Sequence, residues 1–136
     1  MSRILLDTNV VIDWYDDTRA EHENARQLMD KCIDDDDELY VAATSCKDAY
    51  YVLSRIRGEV AARDCIQSIF VAMELLPVDN RTAYTGFHSN EPDFEDGIIR
   101  ACAELNHMDY LITRDKDAFK DAKVRVLSPV EMLTNV

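Results

Sequence analysis

The sequence predicts an α/β fold whose core is a mainly parallel sheet of about five strands. Short apolar runs rich in Leu, Ile, Val and Tyr recur along the 136 residues, and longer stretches with helical periodicity separate them. The runs do not alternate cleanly between polar and apolar residues, as expected for strands that are covered on both faces. The predicted strands are residues 3–6, 39–42, 74–78, 110–113 and 124–127.

Helical stretches follow these strands in order. A short helix is expected to begin near Asn9, and residues 44–58 form a longer helix that Gly58 ends. Residues 59–73 continue as another helix, and residues 92–107 form a helix with acidic residues in its first turn. The apolar side chains expected on the buried faces are Cys46, Ala49, Tyr50, Leu53, Ile56, Ile98, Ile99, Cys102 and Leu105.

The cysteine and histidine residues do not suggest a zinc site. No two cysteines form a C-x-x-C pair and each lies in an apolar helical pattern, so we expect reduced core cysteines in a cytoplasmic protein. The histidines lie at predicted exposed or turn positions without a second ligand nearby. No apolar run of about 18 residues and no signal-peptide pattern is visible, so we expect no membrane association. These residues are Cys32, Cys46, Cys65, Cys102, His22, His88 and His107.

The charge of the chain is strongly acidic and unevenly distributed. Lys and Arg number 15 against 27 Asp and Glu, a net charge of −12. Residues 1–96 hold 9 basic and 21 acidic residues and so carry the whole net charge of −12. Residues 97–136 hold 6 of each and are neutral overall. An acidic chain is a poor electrostatic match for nucleic acid, so any nucleic-acid function must overcome this repulsion. The acidic run at 34–38 is expected to be a solvated loop.

Four aspartates lie where predicted strands end or the following helices begin. Asp7 directly follows the first strand, Asp48 opens the helix after the second, Asp96 opens the helix at 92–107, and Asp115 follows the fourth strand. Ligands of parallel sheets bind beyond the carboxyl ends of the strands. Several carboxylates at one sheet edge repel one another, and a divalent cation relieves that repulsion. Ligand sets made only of oxygen predict Mg²⁺ or Mn²⁺.

Helix capping is the alternative explanation for each of these aspartates taken singly. Acidic residues near helix N-termini are favoured by the helix dipole at about 0.3–1 kcal/mol each. Capping does not require the acids to meet, whereas a cation site does. The pairs with capping-box spacing are Ser45–Asp48 and Asp93–Asp96, and the simple cap positions are Asp7, Asp79 and Asp115.

Four segments in register resemble the PIN domain, the nuclease module of VapC-type toxins in prokaryotic toxin–antitoxin systems. They are ILLDTNVVID, TSCKDAYYVLSR, DFEDGIIRACA and YLITRDKDAF, and the likeness covers about residues 3–130. The resemblance implies a three-layer α/β/α sandwich in which residues 1–136 form one nuclease domain. It also implies RNA phosphodiester hydrolysis by a metal-activated water, dependent on Mg²⁺ or Mn²⁺. A small antitoxin partner and a homodimer are implied as well, and we place the contact surface around Tyr51 and Ile66.

The same resemblance assigns the catalytic acids and metal ligands. Asn9 is expected to orient Asp7 or a metal-bound water, and the Thr113 hydroxyl to support the metal shell or contact a phosphate. The position of Asp48 is more often Glu in the wider family. The implied catalytic and metal-binding residues are Asp7, Asp48, Asp96 and Asp115.

Further acids lie close to this set in the sequence. Asp93 and Asp117 are expected to assist the four aspartates or to substitute for one of them. If Asp96 faces the site, Glu95 is expected to face elsewhere on the same helix.

Other functions compatible with the sequence are a non-catalytic PIN-fold binding module and a receiver-like, Mg²⁺-dependent phosphoacceptor. A receiver requires an acid pair before the phosphorylated Asp and a Lys after the last strand, and neither is clear here. A haloacid-dehalogenase-type phosphotransferase requires a second Asp two residues after the first, where this chain has Asn9. Metal-dependent RNA cleavage separates the nuclease from all three.

Overall fold

The computed structural model describes residues 1–89 and 93–135 and contains one five-stranded sheet. Its order is β3-β2-β1-β4-β5, and every neighbouring pair is parallel. All five predicted strands are therefore confirmed, and the sheet is fully parallel. The strands are β1 Arg3–Leu6, β2 Glu38–Ala42, β3 Glu74–Leu76, β4 Tyr110–Ile112 and β5 Arg125–Leu127.

Helices cover both faces of this sheet. Ile4 and Leu6 of β1 point into one apolar core, and Leu5 points into the other, because successive side chains of a strand alternate between faces. The first core receives side chains from α1, α2, α3, α4 and α7, and the second from α6 and a 3₁₀ helix, so the predicted three-layer sandwich is confirmed. The helices are α1 Thr8–Tyr15, α2 His22–Asp34, α3 Ala43–Arg57, α4 Glu59–Ala72, α5 Asn80–Phe87, α6 Phe94–Leu105, α7 Pro129–Asn135 and the 3₁₀ helix Lys116–Phe119.

The largest differences from the predicted elements are at β3, at α6 and in the acidic run. β3 ends at Leu76 because Pro77 has no backbone N–H to donate to a sheet. α6 is shorter than the predicted helix at 92–107, and Pro92 lies outside the described residues. The acidic run is not a single loop, because Asp34 ends α2 and Glu38 begins β2. The residues of this run are mostly exposed, as predicted.

Predictions about individual side chains away from the sheet edge are mostly confirmed, but Ile56, which was expected on a buried face, is 48% exposed near the end of α3. Cys32, Cys46 and Cys102 are buried free thiols, whereas Cys65 is only partly buried. Asp79 caps α5 by accepting a hydrogen bond from the Thr82 amide at 3.0 Å, as expected. None of the helices within the two described ranges is both long and apolar enough to cross a lipid bilayer.

The sheet order creates a crevice beyond the end of β1. β1 is the central strand, with β2 and then β3 on one side and β4 and then β5 on the other. The chain therefore changes direction across the sheet between β3 and β4, and ligands of open α/β sheets bind at such a switch point. Asp7 and Thr113 directly follow the two strands that meet there, and Leu6 pairs with Ile112 in the last step of the ladder.

α5 and α6 pack very closely at a pair of glycines. A Cβ atom on Gly86 would lie 2.7 Å from both the carbonyl carbon of Gly97 and the amide nitrogen of Ile98. A Cβ atom on Gly97 would likewise collide with the Gly86 carbonyl oxygen. The two helices therefore contact each other through their backbones, and this contact fixes the position of α6.

We predict that Gly97→Ala lowers the free energy of unfolding by about 1–3 kcal/mol, because the added methyl group must push the two helices apart. Urea unfolding at neutral pH measures the change. The double variant Gly86→Ala/Gly97→Ala should lose little more than either single variant, because one substitution already opens the shared contact. A double variant whose loss equals the sum of the single losses would contradict this explanation.

Candidate active site

Asp7 lies at the centre of the site, immediately after the buried strand β1. Its backbone amide donates to the Ile112 carbonyl at 2.9 Å, so the residue continues the pairing of β1 with β4. One carboxylate oxygen accepts from the Thr113 hydroxyl and the other from the Thr8 amide, both at 2.8 Å. Burial raises the pKa of Asp7 above its usual range, although these two hydrogen bonds lower it. The carboxylate therefore has a fixed position in a partly desolvated environment.

Thr113 joins Asp7 to the loop that follows β4. Its side chain is fully buried, and its hydroxyl also accepts a hydrogen bond from the Asp115 amide at 3.0 Å. Asp115 caps the 3₁₀ helix, because its carboxylate accepts from the Ala118 amide at 3.4 Å. The negative charge of Asp115 also adds to the raised pKa of Asp7. Asp115 can therefore cap the 3₁₀ helix and still lie near Asp7. Asp117 lies exposed within the 3₁₀ helix.

Asp48 lies in the second turn of α3 and not in the first, so the expected position is corrected. α3 begins at Ala43, directly after β2, because the chain turns into the helix without a loop. The Ser45 hydroxyl accepts a hydrogen bond from the buried Thr8 hydroxyl at 2.7 Å, and the N-cap of α3 has no side-chain hydrogen bond. The capping-box alternative for Asp48 is therefore wrong. Its side chain is 33% exposed and lies 3.2 Å from the Lys47 ammonium group.

The first turn of α6 brings further acids toward Asp7. Asp93 is the N-cap and accepts a hydrogen bond from the Asp96 amide at 2.8 Å, which is half of the expected capping box. Burial raises the pKa of Asp96 to about 7, and the charges of Asp93 and Asp7 add to the shift. Asp96 therefore interacts electrostatically with Asp7, which capping alone does not require.

Glu95 also lies within electrostatic range of the site, contrary to the expectation that it faces elsewhere. Its pKa is raised by burial and then by the charges of Asp48 and Asp7. The expectation assumed that the side chains of Glu95 and Asp96 point in different directions around the helix. Both residues belong to the first turn of α6, and this end of the helix lies at the carboxyl groups around Asp7. The sequence signal for this arrangement was the segment 93–96, in which three of the four residues are acidic.

Asn9 is exposed at the start of α1, and its amide oxygen accepts a long hydrogen bond of 3.4 Å from Arg19. The expected role of Asn9 in orienting Asp7 or a metal-bound water stays a prediction. The Thr113 hydroxyl donates to Asp7 and so orients this carboxylate. Its expected support of the metal shell or contact with a phosphate stays a prediction.

The donor chemistry of these side chains suits a hard divalent cation. The groups near Asp7 are carboxylates, and burial raises the pKa of Asp7, Glu95 and Asp96, with the charges of neighbouring carboxylates adding to each shift. Within the described part of the chain, no three His, Cys, Asp or Glu side chains already stand close enough together to hold a metal ion. Such spacing is expected for carboxylates whose charge is not neutralised, and a bound cation would draw them together.

The fold and these carboxyl groups define a class of protein, an α/β/α sandwich with an acidic site at its topological switch point. Residues 3–117 match the PIN domain family, so the chain belongs to that family. It is 24% identical over 134 residues to Ribonuclease VapC1 of Aquifex aeolicus (strain VF5), covering 95% of this chain and 92% of that protein.

Solved structures share the fold over almost the whole chain. The structure of FitAB bound to an IR36 DNA fragment has a TM-score of 0.74 and 26% identity, with 93% of this chain and 94% of that chain covered. A toxin–antitoxin complex from Klebsiella pneumoniae has a TM-score of 0.70 and 18% identity, with 93% and 97% covered.

We predict that Asp96→Asn stabilises the metal-free protein more at pH 8 than at pH 5. The folded pKa of about 7 exceeds the usual 3.8, so the contribution of Asp96 to stability is present at low pH and is lost as the pH rises through this interval. The amide cannot ionise, so the variant avoids that loss. Urea unfolding of the parent and the variant in a chelator at both pH values measures the difference in stability.

The exposed acid Asp121 gives the matched control, because Asp121→Asn should change stability little at either pH. If Asp96→Asn lowers stability equally at pH 5 and pH 8, Asp96 acts only as part of the helix cap.

Proposed function

We propose that the chain is an endoribonuclease that hydrolyses RNA phosphodiester bonds with Mg²⁺ or Mn²⁺, and that it is the toxin of a type II toxin–antitoxin pair. The observation that carries the proposal is the electrostatic crowding of carboxyl groups around Asp7 at the switch point of the sheet. A relative named as a ribonuclease, matched over nearly the full length of both chains, supports the choice of RNA.

In this proposal four aspartates hold the cation and make the site catalytic. A bound Mg²⁺ or Mn²⁺ supplies Lewis-acid activation of a water molecule and neutralises charge on the phosphate. Thr113 and Thr8 keep the Asp7 carboxylate in one orientation, and Thr113 keeps the following loop beside it. Asp93 keeps the first turn of α6 in place, and the proposal assigns accessory roles to Asn9 and Asp117. The proposed ligands are Asp7, Asp48, Asp96 and Asp115.

The acidic surface is compatible with this function because cationic side chains accompany the acids. Arg114 and Lys116 flank Asp115, and the charge of Arg114 lowers the pKa of Asp7. The neighbourhood of the cleaved phosphate is therefore less repulsive than the net charge of the chain suggests. Away from these residues, weak non-specific affinity for RNA is expected.

The proposed partners are a small antitoxin and a second copy of the chain. The fold shared with a solved toxin–antitoxin complex supports an antitoxin. α3 and α4 expose Tyr51, Val60, Phe70 and Val71, each more than half exposed, and we keep the surface around Tyr51 and Ile66 as the proposed contact. Residues 1–136 are proposed to form one nuclease domain that acts in the cytoplasm.

We predict that a chelator abolishes RNA cleavage by the purified protein and that excess Mn²⁺ restores it, because the proposed attacking water depends on the cation for its activation. The measurement is cleavage of single-stranded RNA over time. Asp7→Asn is the matched control, because it should be inactive under both conditions and so excludes a contaminating nuclease. Equal cleavage by the parent with and without chelator would contradict metal dependence, and no cleavage at any metal concentration would favour a binding module.

We predict that Asp48→Asn loses most of the cleavage activity, since it removes a charge from the site. Asp48→Glu should keep the charge but displace it by about one methylene, and a misplacement of about 1 Å can lower a rate about a hundredfold. Cleavage rates across a range of Mn²⁺ concentrations measure both variants, with the exposed Asp64→Asn on α4 as the control. If Asp48→Asn matches the parent at every Mn²⁺ concentration, Asp48 is not part of the site.

A further inference from the structure

A buried carboxylate beside the candidate active site holds two arginines. Asp13 lies on α1 and is 1% exposed. One of its oxygens accepts a hydrogen bond from Arg19 at 3.2 Å, and the other lies 3.1 Å from the Nε atom of Arg114. A buried carboxylate is stable only when it is paired, and here each oxygen has its own guanidinium partner.

The two arginines remain accessible although their anchor is buried. Their side chains are 25% exposed for Arg19 and 38% exposed for Arg114. A guanidinium group has five N–H donors, and the contacts to Asp13 leave others available. Two long side chains are thereby fixed next to each other by a single anion, so binding a ligand there requires little further ordering.

This pair of arginines stands at the rim of the acidic site. Arg114 directly follows Thr113, which donates to Asp7, and the charge of Arg114 lowers the pKa of Asp7. Arg19 reaches the same rim from the other side, because it also donates to Asn9 at 3.4 Å. Both guanidinium groups therefore lie beside the place where a substrate phosphate would meet the carboxylates.

Carboxylates offset much of the positive charge of this pair of arginines. Asp13 neutralises one of its two arginines. The next carboxylate, Asp16, lies 3.8 Å from Arg19 and is already bonded to Thr18 at 2.6 Å and to Arg57 at 3.3 Å. Glu21 is a further acid nearby, because its charge adds to the raised pKa of Asp13. Arg19 and Arg114 therefore offer an anion oriented N–H donors, and no large net positive charge.

We propose that Asp13 is a positioning residue that presents Arg19 and Arg114 as a guanidinium pair, and that this pair binds the RNA phosphate next to the one that is cleaved. The inference rests on the proposed ribonuclease function and names how its substrate is held. The fork of a guanidinium group matches a phosphate through paired hydrogen bonds, and two forks fixed by one carboxylate form a preorganised phosphate site. Asp13 acts through the arginines and does not touch the substrate.

The test measures binding and catalysis separately. The dissociation constant of a single-stranded RNA oligonucleotide is measured in chelator at several salt concentrations, and kcat and KM are measured in Mn²⁺. The variants are Arg19→Ala, Arg114→Ala, Asp13→Asn and the double variant Asp13→Asn/Arg114→Ala. The control is Arg26→Ala, which removes an exposed arginine of α2 that pairs with Glu23 and Asp30.

Each arginine variant should weaken RNA binding about tenfold, as expected for a lost charged hydrogen bond. Each should also reduce the slope of log affinity against log salt by about 0.7, the value for one lost contact to a single strand. KM should rise while kcat stays unchanged, because the contact is made equally before and during the reaction. Asp13→Asn should weaken binding similarly, and the double variant should lose less than the sum of the two single losses. The Arg26→Ala control should keep the affinity and slope of the parent.

The proposal is overturned if the parent binds and cleaves RNA while both arginine variants keep its affinity and salt slope. A fall in kcat without a change in affinity would also overturn it. The two arginine variants decide the question even if Asp13→Asn does not fold. A parent that binds RNA through these arginines but does not cleave it in Mn²⁺ contradicts the ribonuclease function and leaves the phosphate site supported.

Discussion

The hydrogen bond from the buried Thr113 hydroxyl to Asp7 connects the ends of the two strands that meet at the switch point. Removing a carboxylate from water is unfavourable unless hydrogen bonds replace the lost hydration. Thr113 and the Thr8 amide supply those bonds, so β1 can end in an acid directly beside two apolar cores. The acids Glu95 and Asp96 come from a helix whose position depends on the sheet, and the charge of Asp7 acts on both of them.

Much of this arrangement could be predicted from local sequence patterns. Runs of apolar residues identified all five strands, and their alternation with helices identified a parallel sheet. The carboxyl ends of such strands meet at one edge of the sheet. This rule identified Asp7 and Asp115 as candidate site residues without any knowledge of their contacts. Asp48 was harder to place because it lies in the second turn of α3, although the predicted start of that helix at residue 44 differs from the observed start by only one residue.

Sequence patterns could not predict which charged side chains interact with one another. Glu95 responds to Asp48 and Asp7, which are distant in sequence, and Asp13 pairs with Arg114 near the other end of the chain. Periodicity describes which face of an element is buried, but it carries no information about which charge on another element lies opposite. The close contact of Gly86 with Gly97 is of the same kind, because a glycine within a helical pattern does not reveal the neighbour that requires it.

The long sequence separation between the two halves of the site affects when the site can form during synthesis. Asp7 and Thr113 are 106 positions apart, and β1 pairs with β4 as well as with β2, which lies much nearer in sequence. Contacts of such high contact order form late, because a long loop must close before they can stabilise the fold. A nascent chain that has not yet released β4 from the ribosome lacks both the Thr113 hydroxyl and Asp115. The translating cell therefore meets an unfinished polypeptide without a complete acidic cluster until β4 and the loop after it have emerged.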